Sequence, residues 1–431
     1  MAVYYISGTG DDRMDGLTPA TAWKTTDHAN RTIAGGDTVL LKRGDTFYGN
    51  VKLPAGTADN PTVLSAYGEG AKPQISLYKI TTSPDVWTEV RENVWRTSLA
   101  DKANYTGNVY TDDTNVGFLM VNGEIHGCRR FAQNKLAAPW EFLCEGRDLY
   151  VYSEGNPNET ADEIRFSVNG RCISPSEYNV IEDLDLCGSG GHGIAGTYAE
   201  VQVIGCDIHD IGGSELPGYP TPDTRYGNGI ELWDDTHDIL IDGCTIANCY
   251  DVGFTMQGRP QKGGWFRVTL KNCVMWGSHQ SFEIWSEKTS EEAGMFDCAF
   301  TDNVCIGAGM GWSDGPRPNK PCGTHLLLYG TGCNTHDIRI RNNIFYDTKY
   351  ALYYKAGDEI PEAYDSDENY IYLRPGTHII NNKYAYTLEE KDAFIERSGK
   401  EAHSVFRTLI PTDETVDELV VRLKKECWGR E

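Results

Sequence analysis

Short runs of alternating apolar and polar residues recur along the chain between about residues 165 and 385. Alternation of this kind sends successive side chains to opposite faces of a β-strand. Five of these runs lie at 201–204, 239–241, 268–270, 338–340 and 378–380. Each is followed by a turn residue, then by Cys or Asn and a further apolar pair. Strands that recur in this way predict a stacked β-solenoid.

The Cys and Asn residues after these runs fall into one column when the segments are aligned. The column contains Cys206, Cys244, Cys273, Asn303, Asn343 and Asn382, with spacings of 38, 29, 30, 40 and 39 residues. Loop insertions produce irregular spacings of this kind. We expect a turn that buries a small thiol or an amide, because an Asn amide can bond to the next copy in the stack.

A second column begins each coil with the segments GIELW, GFTMQ, SFEIW, THLLLY and ALYYK. Alternation places Ile230, Leu232, Phe254, Met256, Phe282, Ile284, Leu326 and Leu328 inside the coils. The predicted outward residues are Glu231, Trp233, Thr255, Gln257, Glu283, Trp285, His325, Leu327 and Tyr329, with Tyr353 as a further candidate. Earlier coils present only Ser174 and Ala195 outward. The chemically interesting face therefore begins at Glu231.

Several segments carry a resemblance to a known group of proteins. These are YYISGTGDDRMDGLTPATAWKT and GGDTVLLKRGDTFYG near the start, and YGNGIELW, YDVGFTMQG, QSFEIW, GAGMGW and GTHLLLY later. They resemble right-handed parallel β-helix proteins of the pectin-lyase-like superfamily, over residues 3–385. The resemblance implies an all-β fold and a carbohydrate-active protein of the glycoside hydrolase or polysaccharide lyase type. It does not choose the reaction, because one fold hosts several chemistries.

The predicted organisation has four parts. Residues 1–82 form an N-terminal cap and the first coils of the β-helix. Residues 83–165 interrupt the coil pattern with meandering strands, which we interpret as an inserted antiparallel β subdomain. Residues 166–385 form the main parallel β-helix with the active-site cleft. Residues 386–431 form a short helical C-terminal tail, with helical periodicity at 388–398 and 413–427.

Composition excludes several classes of protein. The chain has 431 residues, of which 39% are hydrophobic, enough to bury a large core. No apolar run approaches the ~18 residues of a membrane span. The net charge is −24, from 39 basic and 63 acidic residues, without a basic block. Nucleic-acid binding needs a basic footprint, so we expect neither a nucleic-acid nor a membrane partner; an oligomer is compatible with the sequence.

Thirteen cysteines without a C-x-x-C pair favour reduced, buried thiols over disulfides or zinc. The N-terminus has no basic region followed by an apolar stretch. We therefore expect a bacterial cytoplasmic protein, or a secreted one whose signal peptide is absent from this sequence.

The candidate catalytic residues are Glu231, Asp251 and Glu283. Glu231 and Glu283 occupy one outward column, two coils apart, which places their Cβ atoms near ~10 Å at a coil spacing of ~4.8 Å. Their carboxyl oxygens can then approach the ~6.5–9.5 Å of an inverting glycosidase. A pair that includes Asp251 can instead approach the ~5–5.5 Å of a retaining enzyme. The alternative is that all three are solvated charges on an acidic protein.

The candidate substrate-binding residues surround these carboxylates. They are Trp233, Gln257, Trp285, Arg317, His325 and Tyr329. An exposed row of aromatic rings is a platform for the apolar faces of sugars. Arg317 has a planar fork suited to a hydroxyl or a carboxylate, and His325 can assist proton transfer. A purely structural role is the alternative for both.

The predicted function is a glycoside hydrolase that cleaves an oligo- or polysaccharide by carboxylate acid/base catalysis. A polysaccharide lyase is the nearest alternative, but the outward column carries almost no Lys or Arg before Lys355. A non-catalytic glycan-binding or spike-like β-helix is the alternative from another class. Loops 212–226 and 313–323 are expected to wall the cleft into a pocket.

No cofactor is expected. Asp234, Asp235 and Asp238 form a cluster that could take a calcium ion, but a solvated turn is the favoured interpretation. Residues 188–193 match G-x-G-x-x-G, but a strand follows them rather than a helix, so a dinucleotide site is not expected.

Overall fold

Three long sheets of parallel strands, stacked coil upon coil, form the body of the protein. The computed structural model describes residues 1–219, 224–287, 291–317, 323–354, 360, 362–381 and 384–430. Each coil contributes one strand to each sheet, and neighbouring coils pair in parallel register. None of the helices in these residues is long and apolar enough to cross a membrane.

The sheets are named here by the order in which the chain enters them after residue 37. Sheet 1 contains Val3–Ile6, Thr38–Lys42, Thr62–Tyr67, Asn179–Glu182, Ala199–Ile204, His237–Asp242, Gly264–Lys271, Gly294–Thr301, Asn334–Arg341 and Tyr364–Asp367. Sheet 2 contains Thr46–Tyr48, Gln74–Ser76, Asp185–Cys187, Asp207–Ile211, Thr245–Cys249, Val274–Trp276, Val304–Ala308, Ile344–Thr348, Tyr370–Leu373 and Val405–Thr408. Sheet 3 contains Val51–Lys52, Arg171–Ser174, His192–Gly196, Ile230–Leu232, Val252–Gly258, Gln280–Ser286, Thr324–Thr331, Ala351–Tyr354, His378–Ile380 and Tyr386–Thr387.

The core fills the space enclosed by the three sheets, as strand alternation predicts. The eight residues predicted to point inward from sheet 3 are all buried in one apolar cluster. Phe254 stacks on Phe282 with ring centroids 5.7 Å apart, and Phe282 stacks on Phe300 at 4.7 Å. Phe254 and Phe282 occupy the same position in successive coils of sheet 3, whereas Phe300 reaches Phe282 from sheet 1 across the core.

The Cys and Asn column lies at the turn from sheet 1 to sheet 2. Asn303 donates from its backbone and side-chain nitrogens to Oδ1 of Asn343, at 3.0 Å each. Asn343 donates in the same way to Asn369, which is the next member of the ladder. Asn382, predicted for that place, lies outside the described residues. The run His378–Ile380 before it belongs to sheet 3, so it was wrongly aligned with the strands of sheet 1.

Two antiparallel sheets interrupt the coils early in the chain. One contains Tyr78–Thr81, Thr106–Gly107, Val116–Val121, Glu124–His126 and Ile164–Val168, and the other contains Thr88–Arg91, Val94–Ser98, Phe142–Glu145 and Asp148–Tyr152. The predicted inserted subdomain is therefore present, and its first strand begins before residue 83. Its own apolar cluster includes Trp87, Leu119 and Phe166.

The helices lie near the two ends of the chain and within the inserted subdomain. The α-helices are Thr26–Thr32, Pro157–Thr160, Lys391–Ser398 and Val416–Trp428, and the 3-10 helices are Pro19–Thr21, Pro84–Val86, Lys102–Asn104, Gln133–Lys135 and Leu388–Glu390. The helical tail agrees with the sequence pattern. The helix Thr26–Thr32 was not predicted, because it has only seven residues and no clear apolar periodicity.

Every cysteine that the structure describes carries a free thiol. The cysteines of the turn column are almost completely buried: Cys206, Cys244 and Cys273. Their side chains fill the tight turn where Asn takes over in later coils.

Candidate active site

A cavity of about 640 Å³ opens on the outward face of sheet 3. The register pairs Ala195 with Glu231, Glu231 with Thr255, and Thr255 with Glu283. The predicted outward column is therefore correct at these positions. Seven of the nine predicted site residues line the cavity: Glu231, Trp233, Asp251, Gln257, Glu283, Trp285 and Tyr329.

Glu231 is held as an anion by donors around it, although it is only 5% exposed. Gln257 Nε2 donates to Oε1 at 2.6 Å, and His192 Nδ1 lies 2.8 Å from Oε2. Burial acts to raise the pKa of Glu231, but the nearby His192 and the donors Gln257 and Trp233 outweigh it and leave that pKa lowered. The carboxyl group therefore stays ionised at neutral pH.

Glu283 experiences the opposite environment. It is 6% exposed, and the described hydrogen bond to its carboxyl group comes from Thr255 Oγ1 at 3.2 Å. Burial first, and then the nearby negative charge of Asp251, raise the pKa of Glu283 to about 8. The Thr255 hydrogen bond opposes this rise without cancelling it. A carboxyl group in this environment keeps its proton at neutral pH.

Asp251 lies at the cavity wall, just before the strand Val252–Gly258, with a quarter of its side chain exposed. Arg317 Nη2 donates to its Oδ1 at 2.7 Å, and Arg317 Nη1 donates to the Tyr250 carbonyl at 2.9 Å. Arg317 does not itself line the cavity. The structure thus pairs two predicted residues with each other, and places the guanidinium behind Asp251.

Aromatic rings surround the carboxylates. Trp233, Trp285 and Tyr329 are each partly exposed and line the cavity. Trp285 lies two coils after Trp233, with Gln257 in the coil between them, and Tyr329 lies one coil further on. Tyr329 meets Tyr354 edge to face, with ring centroids 6.3 Å apart. Such half-exposed rings offer flat apolar faces beside ionisable groups.

His325 does not face the cavity, contrary to the predicted outward position. It is fully buried, between Ser281 Oγ at 2.9 Å from Nδ1 and the Asp347 carbonyl at 2.8 Å from Nε2. Burial lowers the pKa of His325 to about 3, so the ring is neutral. The His325 ring packs against Phe345 of the sheet 2 strand Ile344–Thr348, with ring centroids 5.3 Å apart.

Tyr353 was likewise expected on the outward face, and the structure places it inside. It pairs in register with the inward Leu326, is fully buried, and donates its hydroxyl to Ser366 Oγ at 2.6 Å. Tyr354 takes the outward position instead. The strand is therefore shifted by one residue from the predicted frame, which exchanges its two faces.

Sequence reasoning missed several residues of the cavity. They are His192, Tyr226, Arg225, Asn228 and Arg259. His192 meets the Tyr226 ring edge to face at 5.3 Å and lies next to Glu231. The glycine-rich segment 188–193 is the sequence feature that could have indicated His192. Its glycines allow the backbone beside His192 to pack closely against neighbouring coils. Gly191, for example, has no room for a Cβ, which would lie 2.1 Å from the Gly170 carbonyl.

The inserted subdomain braces the loop that walls the cavity, over its described residues 212–219 and 224–226. Ser214 Oγ donates to the Asn115 carbonyl at 2.6 Å, and Arg225 Nη1 donates to the Gly127 carbonyl at 3.0 Å. Arg129 forms an ion pair with Glu215 at 3.2 Å. The cavity wall is thus built from two distant parts of the chain.

The acidic cluster suited to calcium has its carboxylates engaged by the protein. Asp235 accepts backbone N–H groups of residues 261 to 264. Asp238 forms a two-point ion pair with Arg267, and Asp234 accepts the Arg259 N–H. These hydrogen bonds and the ion pair connect the segment after Leu232 to residues 259–267.

Comparisons with known proteins agree on the architecture. Residues 149–319 match the family model described as right handed beta helix region. The protein is a right-handed parallel β-helix. The comparison with curated protein sequences gave no match.

Solved structures that are similar to this chain include a complex with a sugar and two enzymes. A complex of XylC with xylose has a TM-score of 0.50 at 11% identity, covering 96% of this chain and 88% of that chain. A GH136 lacto-N-biosidase from Eubacterium ramulus has a TM-score of 0.44 at 14% identity, covering 95% and 68%. An alginate lyase from Paenibacillus sp. str. FPU-7 has a TM-score of 0.44 at 14% identity, covering 89% and 93%. At these identities the likeness concerns the fold alone.

Proposed function

We propose that this β-helix is a glycoside hydrolase, with Glu283 as the general acid and Glu231 as the ionised carboxylate. The observation that carries the proposal is one cavity in which two buried glutamates of the same column have pKa values shifted in opposite directions. Two carboxyl groups held in opposite protonation states can divide the acid and base roles of glycosidic cleavage.

The register favours inversion at the anomeric carbon. Glu231 and Glu283 are separated by the Thr255 strand, so their backbones lie about 9.6 Å apart at ~4.8 Å per coil. That separation leaves room for a water molecule between Glu231 and the sugar. As the water oxygen bonds to the anomeric carbon, its proton passes to Glu231. The glycosidic C–O bond breaks, and the leaving oxygen takes the proton of Glu283.

Asp251 supports the acid rather than replacing it. Its carboxylate pairs with Arg317, and the nearby negative charge raises the pKa of Glu283. The retaining alternative would need Asp251 as the nucleophile, and the ion pair with Arg317 makes its carboxylate a poorer one. We therefore assign Asp251 a positioning role.

The aromatic rings and the walls favour a short, neutral oligosaccharide. Trp233, Trp285 and Tyr329 offer stacking faces for sugar rings, and Gln257 can share its amide between Glu231 and a hydroxyl. The braced loop at 212–219 closes one side of the cavity. A net charge of −24 also disfavours a polyanionic glycan.

Digestion of a panel of neutral and acidic glycans tests the proposal. New reducing ends without ultraviolet absorbance support a hydrolase, and both Glu231→Gln and Glu283→Gln should reduce kcat by at least about a hundredfold. Glu200→Gln, on the solvent face of sheet 1, is the matched control and should keep full activity. Absorbance from an unsaturated uronate would instead identify a lyase, and unchanged activity in both variants would exclude this acid/base pair.

The melting temperature of the Glu283→Gln variant tests whether that variant is folded. The pKa of Glu283 is about 8 in the folded protein and about 4.5 in the unfolded chain, so the unfolded chain releases the proton more easily. The free energy of unfolding therefore falls as pH rises from about 4.5 to about 8. Gln has no such proton to lose. We expect Glu283→Gln to have a higher Tm than the wild type at pH 8, with the difference vanishing near pH 4.

A further inference from the structure

A second cavity, of about 500 Å³, lies on the same face of sheet 3 towards the N-terminal end. It is enclosed between the helix Thr26–Thr32 and the part of the inserted subdomain around Asn108. The strands Val51–Lys52 and Arg171–Ser174 form its floor. It therefore belongs to the face that carries the active-site cavity, several coils earlier.

Arg171 forms the partition between the two cavities. Its side chain lines the second cavity, and its guanidinium carbon lies 4.7 Å from the centroid of the Trp233 ring, which lines the first. Arg171 Nη1 also donates to the Ala195 carbonyl at 3.0 Å. A ligand that extends past Trp233 towards the N-terminal coils would meet Arg171 and then the second cavity.

Tyr110 presents a fixed aromatic ring to this cavity. It is 43% exposed, yet it packs so closely on Gly49 that a Cβ there would lie 2.9 Å from Tyr110 Cδ2. The buried Asn108 side chain accepts the Tyr110 N–H at 3.3 Å and donates to the Leu77 carbonyl at 3.2 Å. A ring that is half exposed and still held in place is suited to stack on a sugar.

Apart from the basic side chains of Arg171 and Lys52, the remaining lining consists mostly of amides and hydroxyls. It includes Thr26, Asn30, Asn50, Thr111, Asn169 and Ser174. The carboxylate in the lining, Asp27, is paired with Arg31 at 2.9 Å. Amides and hydroxyls recognise the hydroxyl groups of a neutral sugar, but a cavity without a pair of carboxylates cannot cleave the glycosidic bond by the acid/base route.

We propose that the second cavity binds the remote sugar units of the same neutral oligosaccharide that is cleaved in the first. This inference rests on the proposed function for its substrate class. Four coil spacings, ~19 Å, separate the Lys52 strand from the Thr255 strand, so a chain of roughly four to six units spans both cavities. The protein would then select for oligosaccharide length.

Calorimetric titration of the inactive Glu283→Gln protein tests the inference without turnover. The probes are cello-, xylo-, manno- and malto-oligosaccharides of two and six units. We expect six-unit chains of at least one series to bind more tightly than their two-unit forms. Adding Tyr110→Ala should reduce this preference about fivefold, and Tyr110→Phe should restore it because the ring remains. Lys42→Ala, on sheet 1, is the control and should leave it unchanged.

Three outcomes would overturn the proposal. Tyr110→Ala could lower the affinity equally for two-unit and six-unit chains, it could leave both affinities unchanged, or no series could bind at all. The proposed function can fail separately. If the products carry an unsaturated uronate, or if Glu231→Gln and Glu283→Gln leave cleavage intact, the hydrolase or its acid/base pair is excluded. A Tyr110-dependent length preference would still support the extended binding face.

Discussion

Glu231 and Glu283 are the same side chain in the same column, and their surroundings give them different protonation states. His192, Gln257 and Trp233 supply charge and donors to Glu231, whereas Glu283 is buried beside another carboxylate. The pH range of activity should therefore run from below the ordinary Glu pKa, where Glu231 gains a proton, up to about 8, where Glu283 loses one. The column was visible in the sequence, but the neighbours that set the two pKa values were not.

Replacing Asp251 by Asn should move the alkaline limit of activity to lower pH. The Asp251 charge raises the pKa of Glu283, so removing it lowers that pKa, by about one unit. The acid limit, which Glu231 sets, should stay in place. The measurement is kcat/KM against pH, with Asp242→Asn on sheet 1 as the control. An unmoved alkaline limit would mean that Glu283 is not the acid.

His325 and Tyr353 mark the limit of strand alternation as a guide at the residue scale. His325 lies on a strand whose other outward residues were predicted correctly, but its ring is buried against the strand Ile344–Thr348. Tyr353 lies on a strand whose frame differs by one residue from the predicted one. Alternation gives the two faces of a strand, and it does not say what covers a face or where the frame slips by one residue.

At the scale of elements, the ladder of buried asparagines connects successive coils. Asn343 accepts two hydrogen bonds from Asn303 and donates to the Phe300 carbonyl and to Asn369. Asn369 then donates to the buried carboxylate of Glu401, which ends the ladder. The repeat of Cys and Asn in the sequence predicted the column up to Asn343. Asn369 was missed because the loops around it change the spacing.

Asn343→Ala should destabilise the protein by about 2–4 kcal/mol, since it leaves buried donors of Asn303 and the Phe300 carbonyl without partners. The measurement is the midpoint of urea unfolding. Asn334→Ala removes an exposed amide from sheet 1 and should change the midpoint little. Equal shifts for the two variants would contradict a structural role of the ladder.

At the scale of the whole molecule, the outer face of a sheet needs cover where it carries a patch of apolar side chains. The helix Val416–Trp428 lies on the outer face of sheet 2, where Leu419 and Leu423 pack against Tyr346 and Tyr372. Its amphipathic pattern predicted a helix. Which surface the helix would cover was decided by the apolar side chains that sheet 2 leaves exposed.

Leu423→Asp should detach this helix, because Leu423 is fully buried and an unpaired charge there costs several kcal/mol. Increased binding of an apolar dye and self-association at low concentration are the expected readouts. Val421→Asp places the same charge at a position that is 58% exposed on the same helix. This matched variant should remain monodisperse, and similar behaviour of both variants would argue against the packing described here.

The sequence by itself determined the solenoid, the inward and outward faces of most coils, and the column that brings Glu231 and Glu283 together. These follow from local periodicity, which every coil repeats. Tertiary structure decided the rest: His192 beside Glu231, Arg317 behind Asp251, and the loop braced by a subdomain about a hundred residues away in the chain. Such contacts join segments with no shared pattern, and the pKa values depend on burial and distance, which only the folded chain defines.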